Sequence, residues 1–276
     1  MVVRPDGTVV RVGIVGVGQM GSPIAAKVSS AGHVVVFHAR RAEVAEQVTA
    51  LGGIDAHSLK GVGEASDVVI VCVYSDDQVV DVCLDTDGLI AAMAPGSTLV
   101  NHTTGSPTTL AMLAAEATPR GVRVLDAALS GGPADIAKGT LTLLVGGDAG
   151  VLEDVTRVLA SYADPILHVG KLGDGQRIKL LNNAIFGANV ALTAEVERLA
   201  ADLGVDPVVA LDAISQCSGD SYALRAIIPL GSSARMQEIA GRFIRKDVAM
   251  VNQIAGELGI DLGLLGAVAS SPGRSE

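Results

Sequence analysis

Apolar residues fall into short continuous runs in the first part of the chain and into longer helical patterns in the last. Arg11 to Val15 is a mostly β-branched run followed at once by glycines, which predicts a buried strand. Met20 to Ala31 then reads as a helix, and Val34 to Phe37, after a Gly32-His33 turn, predicts a second strand. Two strands joined through one helix make a parallel crossover unit. Runs at Val68 to Val73, Thr98 to Asn101, Val122 to Asp126, Leu141 to Val145 and Ile166 to Val169 continue the alternation and predict an α/β, doubly wound sheet. After Gly170 the pattern changes. Gly175 to Leu203 lacks proline and predicts one long helix, followed by helical segments with turns near Gly204 to Pro207, Cys217 to Asp220 and Gly231 to Ser233. The expected organisation is a sheet domain over 1–170 and an all-α domain over 171–276 that opens on the long helix. Ser270 to Glu276 reads as a frayed tail.

Composition narrows the classes. Hydrophobic residues make up 49% of the 276 and aromatics 2%, so the core is expected to be aliphatic. Mean hydropathy is +0.45, yet no stretch approaches the roughly 18 uninterrupted apolar residues of a membrane span. The surplus is assigned to the core and to a subunit interface, in a homodimer or larger homo-oligomer. A net charge of −10 argues against nucleic-acid binding, which draws on clustered Lys and Arg. Cys72, Cys83 and Cys217 have no metal-ligand spacing and are odd in number, pointing to a reducing cytoplasm. The first ten residues lack the pattern of an export signal, and the five histidines lack H-x-x-H spacing, so neither export nor a metal site is expected. Ser130 lacks a G-x-S-x-G context, which argues against a hydrolase.

The segment Gly16-Val17-Gly18-Gln19-Met20-Gly21 joins the first strand to the first helix. Glycines at G-x-G-x-x-G spacing serve a tight turn, close approach of backbone to a pyrophosphate, and close helix-to-strand packing. In this context they predict dinucleotide binding. The second strand ends in His38-Ala39-Arg40-Arg41, with guanidinium groups where an NAD site commonly has a carboxylate. Arg40 and Arg41 suit the 2′-phosphate of NADP. NAD stays open, because the same residues could form a solvated loop.

Four separated signatures resemble the β-hydroxyacid dehydrogenase family of 3-hydroxyisobutyrate dehydrogenases, tartronate semialdehyde reductases and, more distantly, 6-phosphogluconate dehydrogenases. They are Gly16 to Gly21, Asp126-Ala127-Ala128-Leu129-Ser130-Gly131-Gly132, Gly175 to Asn183, and Lys246-Asp247. The resemblance implies a Rossmann-like domain followed by a helical one, and an enzyme moving a hydride between NAD(P) and a small carboxylate-bearing 3-hydroxy acid or its semialdehyde. It puts Lys179 at the catalytic lysine and Asn183 at a neighbouring substrate contact. Ser130, Gly131 and Gly132 fall on the substrate-carboxylate segment. Gly16, Gly18, Gln19, Met20, Gly21, Tyr74, Ser75, Thr104 and Lys246 fall on cofactor contacts.

Residue chemistry bears on these roles. Lys179 and Asn183 are four apart and share a helix face. Ile178, Leu180, Leu181, Ala184, Ile185 and Phe186 surround them, so the helix is expected to be buried and the lysine pKa lowered towards neutrality, as a general acid/base requires. A snorkelling lysine is the alternative. Ser130-Gly131-Gly132 could present successive N–H groups to a carboxylate, or be an ordinary permissive loop. Lys246-Asp247 could equally be a surface ion pair. Departures from the family pattern are Asn101-His102, Ala128 and a short stretch after Ile260, which leaves site closure and oligomer geometry open. Retention of Lys179 argues against the related imine reductases, and Lys179 with Asn183 argues against a non-catalytic dinucleotide-binding member.

Overall fold

A computed structural model describes residues 9–269; the Ser270–Glu276 tail lies outside them. The first part of the chain alternates strand and helix: β1 (Arg11–Val15), α1 (Gly21–Ser30), β2 (Val34–His38), α2 (Ala42–Ala50), β3 (Ile54–Asp55), α3 (Leu59–Glu64), β4 (Val68–Val71), α4 (Asp76–Leu84), α5 (Leu89–Ala92), β5 (Thr98–Asn101), α6 (Pro107–Ala117), β6 (Arg123–Ser130), α7 (Pro133–Lys138), β7 (Leu141–Gly146), α8 (Ala149–Leu159) and β8 (Ala163–Gly170). The strands form one sheet in the order β3-β2-β1-β4-β5-β6-β7-β8.

The aliphatic runs form strands because both sheet faces are covered. All four residues of β4 are buried, with Val68 and Ile70 packed beside Ile14, Ile24 and Phe37 on one face. Val69 and Val71 pack beside Leu99, Leu110 and Leu113 on the other, as the two-residue period of a strand requires. Each such side chain contributes about 1.5–3 kcal/mol relative to exposure. The chain winds outward from β1 in one direction through β2 and β3, and in the other through β4, β5 and β6. The carboxyl ends of β1 and β4 therefore flank the switch point where ligands of such sheets bind.

β7 departs from the parallel pattern by running antiparallel to β6. Residues 131–140 are too few for the dozen or more that a parallel crossover requires. β3, a two-residue strand, escapes any periodic signal.

The chain divides into two compact units between Lys179 and Leu180. The division falls inside α9 (Asp174–Asp202) rather than ahead of it, because the first turn of this helix is bonded to the sheet. The second unit contains the rest of α9 with α10 (Pro207–Ile214), α11 (Tyr222–Ile227), α12 (Ser233–Leu258) and α13 (Gly263–Ala269). One core gathers Val190, Leu211, Leu224, Ile227 and Met236, and another Leu180, Ala184, Val251 and Ile254. The Glu197 carboxylate accepts from the backbone N–H and the hydroxyl of Ser233, fixing the start of α12 against α9. Among the described residues, no helix is long and apolar enough to cross a membrane.

Candidate active site

At the carboxyl end of β1 the three motif glycines occupy three different environments. Gly16 has φ +95°, and a Cβ there would overlap the Cys72 carbonyl at the end of β4. A Cβ on Gly21 would overlap the Gly16 carbonyl, so α1 can start this close to the strand only without one. Gly18 has nothing within 4 Å of a Cβ, leaving its backbone open to a ligand. The Ser22 hydroxyl braces the turn by donating to the Val17 carbonyl at 2.8 Å. Met20 supplies no side-chain cap and the first turn of α1 carries no carboxylate, so this helix does not neutralise its own positive end. These features fit a dinucleotide pyrophosphate.

The neighbouring loops are held by their own polar groups. Val73 N–H donates to Thr103 Oγ1 at 3.0 Å, Tyr74 N–H to Gln78 Oε1 at 3.0 Å, and Ser75 Oγ accepts from Gln78 N–H to cap α4. Tyr74 is exposed, and Thr104 is half-buried between Thr103 and Gly105. His102, next to this loop, is fully buried. Its Nδ1–H must donate to the Ala127 carbonyl (2.6 Å), a pure acceptor, so Nε2 accepts from the Tyr162 hydroxyl (2.8 Å). Burial pushes His102 down to about 4 and raises the Tyr162 hydroxyl, so both are neutral at pH 7.

Asp126 lies on β6 with no exposed surface. Its oxygens accept from Gly173 N–H (2.6 Å) and Gln176 N–H (2.8 Å), an N-terminal anchor for α9 supplied by the sheet. Burial raises its carboxyl pKa, and the two N–H bonds oppose that rise. Lys179 follows Gln176 by one turn and is half-buried. Further along α9, in the second unit, Asn183 is buried and its Nδ2 donates to Asp247 Oδ2 at 2.9 Å, while Lys246 Nζ lies 3.7 Å from Asp247 Oδ1. Ser130 ends β6, and Gly131 has φ +126°.

The chain matches the family model for the NAD binding domain of 6-phosphogluconate dehydrogenase over residues 11–170. It also matches the model for the NAD-binding region of NADP-dependent 3-hydroxyisobutyrate dehydrogenase over residues 173–271. The chain belongs to the β-hydroxyacid dehydrogenase family. Among members of this family, it is 32% identical over 266 residues to the NAD-dependent L-serine dehydrogenase of Pseudomonas aeruginosa, covering 95% of this chain and 87% of that protein. It is 33% identical over 199 residues to the 2-hydroxy-3-oxopropionate reductase of Escherichia coli, covering 72% of this chain and 68% of that protein. The solved structure of a Mycobacterium tuberculosis 3-hydroxyisobutyrate dehydrogenase with L-serine superposes with a TM-score of 0.84 at 28% identity, covering 95% of this chain and 92% of that one. The protein is thus an NAD(P)-dependent 3-hydroxyacid dehydrogenase.

Within this family frame, the structure brings the Gly16–Gly21 turn and the Tyr74-Ser75 segment to the ends of adjacent strands, β1 and β4. Arg40 and Arg41 are exposed just beyond the end of β2. Sequence reading missed a carboxylate there. Asp55 of β3 pairs with Phe37 in register and lies 3.8 Å from His38 Nδ1 and 3.6 Å from His57 Nδ1. Two expectations need correction. Gly132 N–H is not open, since it donates to Asp135 Oδ2 at 2.7 Å in the cap of α7. The helix carrying Lys179 is not buried on nearly every side either, because Leu181 is 60% and Ile185 54% exposed. Asp126 and Gln176 lay within recognised motifs without a role; the usable signal was a carboxylate inside a strand otherwise apolar, where it needs donors. No cluster of metal-ligating side chains occurs among the described residues.

Proposed function

We propose that the enzyme interconverts a short 3-hydroxy acid and its semialdehyde, with NADP(H) as the preferred hydride partner and Lys179 as the general acid/base. The carrying observation is the anchored start of α9: Asp126 fixes the helix to the sheet one turn ahead of Lys179. The relatives' names support the substrate class, because L-serine, 3-hydroxyisobutyrate and 2-hydroxy-3-oxopropionate all carry oxygen on C3 of a short carboxylate.

When bound, the nicotinamide accepts or returns a hydride at C4. In oxidation the C3–H bond supplies that hydride, and the neutral Lys179 amine takes the hydroxyl proton as the carbonyl forms. In reduction the Lys179 ammonium returns it. Asn183 gives one Nδ2 hydrogen to Asp247 and accepts from Asn182 Nδ2 through its Oδ1, so its second Nδ2 hydrogen is the one that orients the reacting oxygen or its neighbour. Ser130 and Gly131 bind the substrate carboxylate, with Gly132 shaping the loop rather than donating. Arg40 and Arg41 bind the 2′-phosphate, Lys246 reaches the cofactor, and Tyr74, Ser75 and Thr104 border it.

The active form is a homodimer or larger homo-oligomer. At 100° per residue, exposed Leu181, Ile185, Leu192 and Leu199 form one stripe on α9, opposite the face shared by Lys179 and Asn183. A second copy covering that stripe leaves the catalytic face unobstructed.

The test is a turnover screen with 3-hydroxyisobutyrate, L-serine and 2-hydroxy-3-oxopropionate, each with NADP(H) and NAD(H), repeated on Lys179→Ala. Loss of turnover by at least a hundredfold with cofactor binding retained supports the lysine's role, and unchanged kcat refutes it. An NAD preference untouched by Arg40→Ala removes the NADP assignment.

A further inference from the structure

Gln176 stands out because its side chain is wholly buried and committed at both ends. Its Nε2 donates to the Thr103 carbonyl at 2.9 Å, and its Oε1 accepts from Gly105 N–H at 3.1 Å. A carbonyl can only accept and a backbone N–H can only donate, so the amide orientation is forced. The same residue's backbone N–H is one of the two that Asp126 holds. Gln176 therefore joins β6, the loop after β5 and the first turn of α9, all within the first unit. Thr104 lies between the two loop atoms that it grips, and Lys179 follows one turn later. An apolar side chain of similar size would fill the space without the desolvation cost of an amide, so packing alone does not account for a glutamine here.

We propose that Gln176 is a positioning residue for hydride transfer, holding the Thr104 loop and the Lys179 turn at one fixed spacing. The proposal rests on the acid/base reading of Lys179. Loss of this amide lets loop and helix drift separately, and a displacement of about 1 Å is enough to lower the rate of a transfer that needs near-contact geometry by up to about a hundredfold.

Q176L and Q176E test it on the full chain, using whichever of 3-hydroxyisobutyrate, L-serine or 2-hydroxy-3-oxopropionate turns over fastest. In Q176L, kcat is expected to fall ten- to hundredfold, with the cofactor Kd from direct titration within threefold of wild type. The deuterium isotope effect from C3-labelled 3-hydroxy acid, or 4-labelled reduced cofactor for the semialdehyde, is expected to increase as hydride transfer becomes limiting. Q176E retains the acceptor facing Gly105 but places a second oxygen against the Thr103 carbonyl. Protonation turns that oxygen into a donor, so the ratio of its kcat to wild type is expected to rise as pH falls. Without cofactor, amide exchange at Gly105 quickens in Q176L, which leaves that N–H without its acceptor.

Wild-type kcat and isotope effect in both variants, with only thermal stability reduced, would overturn the proposal. Should Q176L fail to fold, the Q176E pH ratio decides alone, and a flat ratio counts against the positioning role. Lys179→Ala separates the two claims. Full kcat in that variant removes the acid/base reading and this proposal with it. An inactive Lys179→Ala beside fully active Gln176 variants removes the positioning role alone.

Discussion

The two glycine turns at the carboxyl ends of β1 and β6 look alike in sequence and differ in what they leave available. At Gly16–Gly21 the steric conflicts face inward, against Cys72 and Gly16 itself, while Gly18 is open. At Ser130–Gly132 the chain supplies its own anion, because Asp135 takes the Gly132 N–H. The first turn is shaped for a ligand by what its backbone excludes. The second is partly satisfied before any ligand arrives. Glycine spacing reports permissive backbone, and only the hydrogen-bond partners reveal whether that backbone is available.

Breaking the first turn should have the largest effect. Gly16→Ala combines a positive φ with overlap on the Cys72 carbonyl, and about 2–4 kcal/mol of stability is expected to be lost, measured by urea midpoint. Beneath the second turn, His102 supports β6 through Ala127. Its folded pKa of about 4 lies below the unfolded value of 6.5, so the unfolded chain binds more protons between those values. Stability from this group is therefore complete above about pH 6.5 and declines towards pH 4, by about 2 kcal/mol between pH 7 and 5. Urea titrations at those two pH values should show a slope that His102→Gln flattens.

Gly18→Ala sharpens the contrast with Gly16→Ala. Its melting temperature should hardly move, while cofactor Kd rises about tenfold, or about 1.4 kcal/mol, by titration. Asp135→Asn has the smallest expected effect. The amide oxygen still accepts from Gly132 but the negative charge is gone, so KM for a carboxylate substrate should fall about two- to fourfold in steady-state assays. An unchanged KM would place the carboxylate away from this loop.

The strands were legible because a parallel strand buried on both faces has to be continuously aliphatic, as Val68 to Val71 is. The reversal of β7 was not, since side-chain periodicity carries no strand direction; only the short 131–140 connection encodes it. Lys179 and Asn183 came from motif resemblance, and their placement on one helix from spacing. The exposure of Leu181 and Ile185 was hidden, because an apolar side chain reads identically whether its partner is its own core or another molecule. Gln176 had no signal of its own: its two partners are backbone atoms at 103 and 105, and backbone atoms leave no trace in residue identity.

The interlock of Gly16 and Gly21 has a consequence for how this sequence can change over generations. A side chain at either position meets main chain, which no compensating side-chain replacement elsewhere can clear away. Gly18 meets no such barrier. Descendants of this gene are therefore free to explore what is recognised at the centre of the turn while its two ends are inherited unaltered, and folding is kept apart from innovation by a distance of two or three residues.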